Sequence, residues 1–152
     1  MKIEGKIKEL GLILPLPPKP VGSYTPVSIS NNIIYTSGII PVENGKLNYQ
    51  GRFASDFSVE QGLSIAQICI LNALSAVKNA IGDLDKIKKI IKLNGFIRSE
   101  RDFSDQPKVL DGASDMLVNI WGDKGRHARS AIGVSELPLG SPIELELIME
   151  IQ

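Results

Sequence analysis

The most regular hydrophobic pattern in the chain recurs at helical spacing between Ser58 and Gly82. Ser58 and Gln61 have the spacing of a capping box, in which each side chain bonds to the backbone amide of the other residue. Gly82 stands where a helix-ending glycine belongs. The pattern therefore predicts one long helix, with a buried stripe formed by Val59, Leu63, Ala66, Ile70, Leu74, Val77 and Ile81.

Two further segments also have helical spacing. Ile3, Ile7 and Leu10 fall at i, i+4 and i+7, which predicts a short amphipathic helix at the start of the chain. Another helix is predicted to begin near residues 105–107 and to end at Gly122. Its buried face is expected to contain Val109, Ala113, Met116, Leu117, Ile120 and Trp121.

The remaining apolar runs predict strands. Residues 27–37 are expected to form a hairpin that turns at the paired asparagines 31–32, and Asn44-Gly45 predicts another turn. A strand over residues 86–99 should place Ile91, Leu93 and Ile97 on one face. Residues 128–134 and 142–151 should then form a closing hairpin. The order β-β-α-β-α-β-β predicts an α+β fold, with two helices on one face of the sheet.

The expected closing hairpin places charged residues together. If its loop spans 136–141, Val134 lies opposite Ile143, and Arg129, Glu144 and Glu146 share the face that carries no helices. Arg129 and Glu144 would then lie about 13 Å apart, which leaves room for a small molecule. The alternative is a solvated face on which Arg129 pairs loosely with Glu146, worth at most ~1 kcal/mol.

Composition narrows the classes of function. The 152 residues suit a single domain, 1–152, in which residues 1–20 form the short helix and a proline-rich arm. Seventeen basic residues balance seventeen acidic ones, so attraction to nucleic acid is not expected. No membrane span or signal peptide is predicted, and we expect a cytoplasmic protein with Cys69 as a buried thiol. With His127 as the one histidine, no multi-histidine metal site is predicted.

Two long stretches resemble the signatures of the RidA/YjgF family of reactive-intermediate deaminases. "PKPVGSYTPVSISNNIIYTSGIIP" (residues 18–41) is similar to its amino-terminal signature, and "ARSAIGVSELPLGSPIELELI" (residues 128–148) to its carboxy-terminal one. The longer amino-terminal arm resembles a longer branch of that family. The resemblance implies a chorismate-mutase-like fold in which three subunits form a barrel, with ligand sites at the subunit boundaries.

The resemblance also implies roles for individual residues. Arg129 matches the arginine that holds the substrate carboxylate, and Glu144 matches the acid that positions the attacking water. The substrate-binding positions that match are Tyr24, Ser37, Gly38, Asp111 and Ala131. Asp111 replaces an asparagine that is frequent in the family and Ala131 a common cysteine, while Arg126 and His127 are unusual additions that are expected to reach solvent.

Two classes of function follow from this resemblance. The first is hydrolysis of 2-imino or enamine acids, such as 2-aminoacrylate, to 2-keto acids and ammonia, without a metal or cofactor. The second is a non-catalytic homotrimer that binds a small carboxylate or a protein partner. RNA cleavage, also associated with the family, is a weaker third, because a neutral chain with few aromatic residues has no basic stacking groove.

Overall fold

Ten helices and strands carry the fold in the computed structural model, which describes residues 2–20 and 22–152. Val21, part of the amino-terminal signature, lies outside the described residues. The elements are α1 (Lys2–Glu9), β1 (Val27–Ser30), β2 (Ile33–Thr36), β3 (Val42–Glu43), β4 (Lys46–Leu47), α2 (Val59–Ile81), β5 (Ile87–Arg98), α3 (Gln106–Trp121), β6 (Ala128–Val134) and β7 (Ile143–Ile151).

The predicted helices are confirmed, with their end signals. The amide of Gln61 donates to Ser58 Oγ at 3.2 Å, and the amide of Ser58 donates to Gln61 Oε1 at 2.8 Å, so the capping box begins α2. Gly82 ends α2 with a φ of 85°, a conformation that glycine adopts without strain. Within the core beneath α2, Cys69 is fully buried, and this burial raises the pKa of its thiol.

The main sheet has five strands in the order β1-β2-β7-β5-β6. Strand β6 pairs in parallel with β5, and β7 pairs antiparallel with both β5 and β2. The expected closing hairpin is therefore wrong, since β5 lies between β6 and β7. The 3₁₀ turn and loop after β6 allow the chain to cross β5 instead of turning directly back.

Strand β5 also departs from the predicted alternation. Its pairing with β7 shifts register between Ile90 and Lys92, which leaves Ile91 as a bulged residue. Ile90 is fully buried as a result, whereas Ile91 is only partly buried. The expectation that Ile91 joins Leu93 and Ile97 in the core is therefore wrong by one position.

Helices α2 and α3 cover one face of the sheet, and the buried side chains of β5 and β7 point towards them. By length and composition α2 could also cross a membrane, which the sequence analysis overlooked. In the structure 56% of the most apolar 18-residue segment of α2 is buried within the protein, as in a core helix. Its apolar surface therefore packs against the sheet and α3.

The amino-terminal segment is attached to this two-layer core. The Asp85 carboxylate accepts hydrogen bonds from the amides of Lys2 and Ile3, both at 2.8 Å, and so caps α1. Further along, the Ser75 hydroxyl of α2 donates to the carbonyl of Pro15 at 2.6 Å. These contacts hold the described part of the proline-rich arm against the helical layer.

Gly112 determines how closely α2 and α3 approach. A Cβ atom at this position would lie 2.3 Å from the carbonyl oxygen of Leu63 and 2.7 Å from its Cα. Both atoms belong to the backbone of α2 and cannot rotate away. A side chain at position 112 therefore requires the helices to separate.

We expect Gly112→Ala to lower the free energy of unfolding by about 1–3 kcal/mol, because overpacking outweighs the better helix propensity of alanine. Urea unfolding followed by circular dichroism measures the change. The matched control is Gly5→Ala in α1, where an added Cβ meets nothing within 4 Å. Equal effects of the two substitutions would contradict the packing argument.

Candidate functional site

The first group of predicted site residues, Arg129, Asp111 and Ala131, lies between β6 and α3. Together with Ser114, which was not predicted, we call this group the arginine half. Arg129 Nη1 donates to Asp111 Oδ1 at 2.8 Å and to Ser114 Oγ at 3.2 Å. Asp111 and Ser114 are three residues apart on α3, so both face the same strand. Strand β6 is at the edge of the sheet, which leaves the Arg129 side chain 24% and the Asp111 side chain 50% exposed.

The bonding of Arg129 leaves one edge of its guanidinium for a ligand. Among the described residues, both hydrogen bonds of this side chain come from Nη1. Since Nη1 carries two hydrogens, Asp111 and Ser114 saturate it. The edge formed by Nε and Nη2 retains the fork geometry that binds a carboxylate through two parallel hydrogen bonds.

The second group lies where β2 ends beside β7, and we call it the glutamate half (Glu144, Gly38, Ser37 and Tyr24). A Cβ atom at Gly38 would lie 2.4 Å from Glu144 Oε1, so the missing side chain provides the space for this carboxylate. The Ser37 hydroxyl donates to the carbonyl of Thr25 at 2.7 Å. This bond holds the loop that carries Tyr24, whose side chain is exposed, next to the end of β2.

Glu144 has the electrostatics of a base. Partial burial raises the pKa of its carboxyl group, and the negative charge of neighbouring Glu146 raises this pKa further. Glu146 itself accepts a hydrogen bond from Asn94 at 3.1 Å. A carboxylate with a raised pKa takes a proton more readily than an ordinary glutamate.

The two halves lie on opposite faces of the sheet, and the expectation that Arg129 and Glu144 share the helix-free face is wrong. Arg129 pairs with Leu93 of β5 and so faces the helices. Glu144 pairs with Phe96 on the same strand and faces away from them. Two strand spacings, about 10 Å, also separate β6 from β7. The alternative pairing of Arg129 with Glu146 is wrong for the same reason, and Asp111 takes that place.

The structure confirms the expectation for Arg126 and corrects the one for His127. Arg126 is exposed and pairs with Asp123 at 3.3 Å, as expected of a solvated side chain. His127 is only partly exposed, and its Nε2 lies 2.9 Å from Ser114 Oγ. Sequence reasoning missed Ser114, although its spacing from Asp111 could have indicated it once α3 was placed beside β6.

A cavity of about 390 Å³ lies beyond the arginine half, at the amino-terminal end of α3. Its lining includes Arg52, Ser99, Arg101, Phe103, Gln106 and Gly133, and it contains none of the predicted site residues. Within residues 2–20 and 22–152, no group of three or more His, Cys, Asp or Glu side chains is arranged to hold a metal ion.

Comparisons with known proteins agree with this fold. Residues 4–151 match the family described as "YjgF/chorismate mutase-like, putative endoribonuclease". Protein TCP17 of Trypanosoma cruzi is 32% identical over 151 residues, which cover 99% of this chain and 94% of that protein.

Two further relatives differ in what is known of them. The 2-iminobutanoate/2-iminopropanoate deaminase of Dermatophagoides farinae is 29% identical, and the match covers 91% of this chain and 93% of that protein. A protein of unknown function from Agrobacterium tumefaciens, whose crystal structure is known, is 41% identical in sequence to this chain. The two structures superpose with a TM-score of 0.92, and the match covers 99% of this chain and 93% of the Agrobacterium chain.

Proposed function

Because the chain belongs to the YjgF/RidA family, we propose that it hydrolyses 2-imino acids to 2-keto acids and ammonia at sites between the subunits of a homotrimer. The observation that carries the proposal is the division of the predicted site residues into two complementary halves. The arginine half offers a bidentate cation for a carboxylate. The glutamate half offers a carboxylate with a raised pKa.

The division into halves supports an assembly of subunits. A small ligand in one chain cannot contact residues on opposite faces of its sheet, so contact with both halves requires a second chain. The helix-free face and its edge also expose large apolar side chains, with Tyr35 at 45% and Ile132 at 49%. Contact with a second chain would remove this apolar area from water. A closed ring in which one chain's arginine half meets the next chain's glutamate half uses each half once.

The proposed chemistry assigns one step to each half. The guanidinium of Arg129 holds the substrate carboxylate, and Glu144 removes a proton from water. The water oxygen then bonds to C2 of the imine while the C=N electron pair moves to nitrogen. Glu144 returns its proton to the nitrogen, which gives the neutral carbinolamine. The C2 hydroxyl then passes its own proton through Glu144 to the nitrogen as the C2–N bond breaks, so that ammonia leaves and the C2=O double bond of the 2-keto acid forms. An enamine such as 2-aminoacrylate first takes a proton at C3 to become the imine. No step calls for a metal or cofactor.

One observation favours the second candidate, a non-catalytic trimer that binds a small carboxylate or a protein partner. Asp111 already neutralises Arg129, and its carboxylate opposes an anionic ligand. The pair is partly exposed, however, and such pairs contribute at most about 1 kcal/mol, so a bidentate ligand can compete with it. RNA cleavage fits poorly, because the glutamates of β7 on the helix-free face repel phosphate.

The catalytic proposal predicts that Glu144→Gln folds normally but loses turnover on the order of 100-fold, since the general base is missing. In the wild-type protein, kcat/KM should fall as the pH drops through the raised pKa of Glu144, because only the ionised carboxylate accepts the proton. Ammonia release from an imino acid generated in situ measures both effects. Glu146→Gln is the matched control and should lose less. A wild-type protein that binds 2-ketobutyrate but releases no ammonia would favour the non-catalytic candidate.

The assembly proposal predicts complementation between two defective variants. When Arg129→Lys and Glu144→Gln chains are co-expressed, about a quarter of the sites should combine an intact arginine half with an intact glutamate half. At substrate concentrations well below KM, where both separate variants are defective, ammonia release should then recover to about that fraction of wild-type activity. Activity no higher than that of the separate variants, in mixed oligomers verified by mass spectrometry, would place both residues of one site in one chain. Mass photometry showing only monomers would exclude the trimer.

The anchoring proposal predicts opposite effects at the two members of the ion pair. Arg129→Lys should weaken 2-ketobutyrate binding, because lysine lacks the guanidinium fork. Asp111→Asn should strengthen it about fivefold, because the competing carboxylate is gone. Calorimetric titration measures both, with exposed Arg126→Ala as the control that should change little. A larger loss of affinity in Arg126→Ala than in Arg129→Lys would mean that Arg126, and not Arg129, anchors the ligand.

A further inference from the structure

A continuous hydrogen-bonded chain runs from the turn before β6 to the guanidinium of Arg129. His127 Nδ1 lies 2.6 Å from the carbonyl oxygen of Gly125, and His127 Nε2 lies 2.9 Å from Ser114 Oγ. Ser114 Oγ in turn accepts a hydrogen bond from Arg129 Nη1 at 3.2 Å. The chain joins α3 to β6 at the residue proposed to hold the substrate.

The chemistry of the two end groups determines where each hydrogen lies. The carbonyl of Gly125 can only accept, so His127 carries a hydrogen on Nδ1. The guanidinium of Arg129 can only donate, so the lone pairs of Ser114 Oγ point towards it. The hydroxyl hydrogen of Ser114 is then directed at His127 Nε2, which is an acceptor in a neutral imidazole with its hydrogen on Nδ1. For the neutral imidazole, this arrangement satisfies every hydrogen bond in the chain.

We infer that His127 and Ser114 are positioning residues for Arg129, which hold its Nη1 so that the Nε–Nη2 edge faces the ligand carboxylate. This inference rests on the proposed function, because it requires Arg129 to bind that carboxylate. Asp111 alone cannot fix the orientation of the guanidinium plane, because the guanidinium can still rotate about the axis of a single hydrogen bond. The second acceptor, Ser114, saturates Nη1, and His127 prevents the Ser114 hydroxyl from turning its hydrogen towards Arg129.

Positioning of this kind has a defined kinetic consequence. The substrate carboxylate does not react, so Arg129 binds it equally in the ground state and the transition state. Loss of such uniform binding raises KM and leaves kcat nearly unchanged. Loss of Glu144, which acts on the attacking water, lowers kcat instead, and the two kinds of defect are therefore separable.

The hydrogen-bonded chain can be tested without any ligand. His127 is the only histidine, so its two ring nitrogens can be assigned without ambiguity by long-range ¹H–¹⁵N NMR of the full chain. At a pH where the imidazole is neutral, we expect a protonated Nδ1 and an unprotonated Nε2. Ser114→Ala should shift the Nε2 resonance. A hydrogen on Nε2 in the neutral wild-type protein would overturn the inference.

The positioning role is tested by 2-ketobutyrate titration and by steady-state kinetics. Ser114→Ala should weaken binding and raise KM by about five- to tenfold, because a hydrogen bond to a charged group is lost. Ser114→Thr retains the hydroxyl and should restore most of the affinity. The double variant Ser114→Ala/His127→Ala should bind no more weakly than Ser114→Ala, because the two residues act in series. Ser64→Ala, the same change at an exposed position of α2, is the control.

The outcomes separate this inference from the proposed function. If Arg129→Lys weakens binding while Ser114→Ala binds like the wild-type protein, the positioning role is wrong and the anchoring role of Arg129 stands. If Arg129→Lys binds 2-ketobutyrate normally, the anchor itself is wrong, and the inference fails with it. If Ser114→Thr does not restore the affinity that Ser114→Ala loses, Ser114 has a merely structural role. The same conclusion follows if the loss of affinity in Ser114→Ala accompanies a lower melting temperature.

Discussion

The placement of β5 between β6 and β7 is the constraint on which the core and the candidate site both depend. Residues that lie level across the three strands share a face, as Leu93, Arg129 and Leu147 do. This register brings Arg129 to the helical side, within hydrogen-bond distance of Asp111 on α3. The same register turns Glu144 to the opposite side. One pattern of backbone pairing therefore separates the two charges that the proposed chemistry needs.

Each half of the candidate site holds one charged side chain, Arg129 or Glu144, in a partly buried position. Arg129 lies on an edge strand and has two acceptors on one nitrogen, so its charge is compensated while the rest of the guanidinium stays available. Glu144 has the space left by Gly38 but, among the residues that the structure describes, no compensating cation, and burial raises its pKa. The proposed anchor and the proposed base thus have opposite electrostatic environments. In the proposed trimer these environments meet between two chains.

Local signals in the sequence predicted local structure well. The capping box at Ser58, the helix-ending Gly82 and the turn at Asn44-Gly45 are all confirmed, because each depends on neighbouring backbone groups. The errors concern pairing over longer distances. Residues 128–134 and 142–151 are close in sequence and resemble a hairpin, yet β5, from a much earlier segment, lies between them. The bulge at Ile91 was missed because its cause is the register of β7.

The sequence by itself determined the helices, most of the strands, the middle of the buried stripe of α2 from Ala66 to Val77 and, through two long signatures, the family and the candidate residues Arg129 and Glu144. These depend on side-chain periodicity and on residue identity, which are properties of short segments. Only the tertiary structure decided which face each charged residue occupies, that Asp111 and Ser114 bind Arg129, and that His127 turns inward. The physical reason is that a strand places alternate side chains on opposite faces, so their environment depends on which distant strand pairs with it.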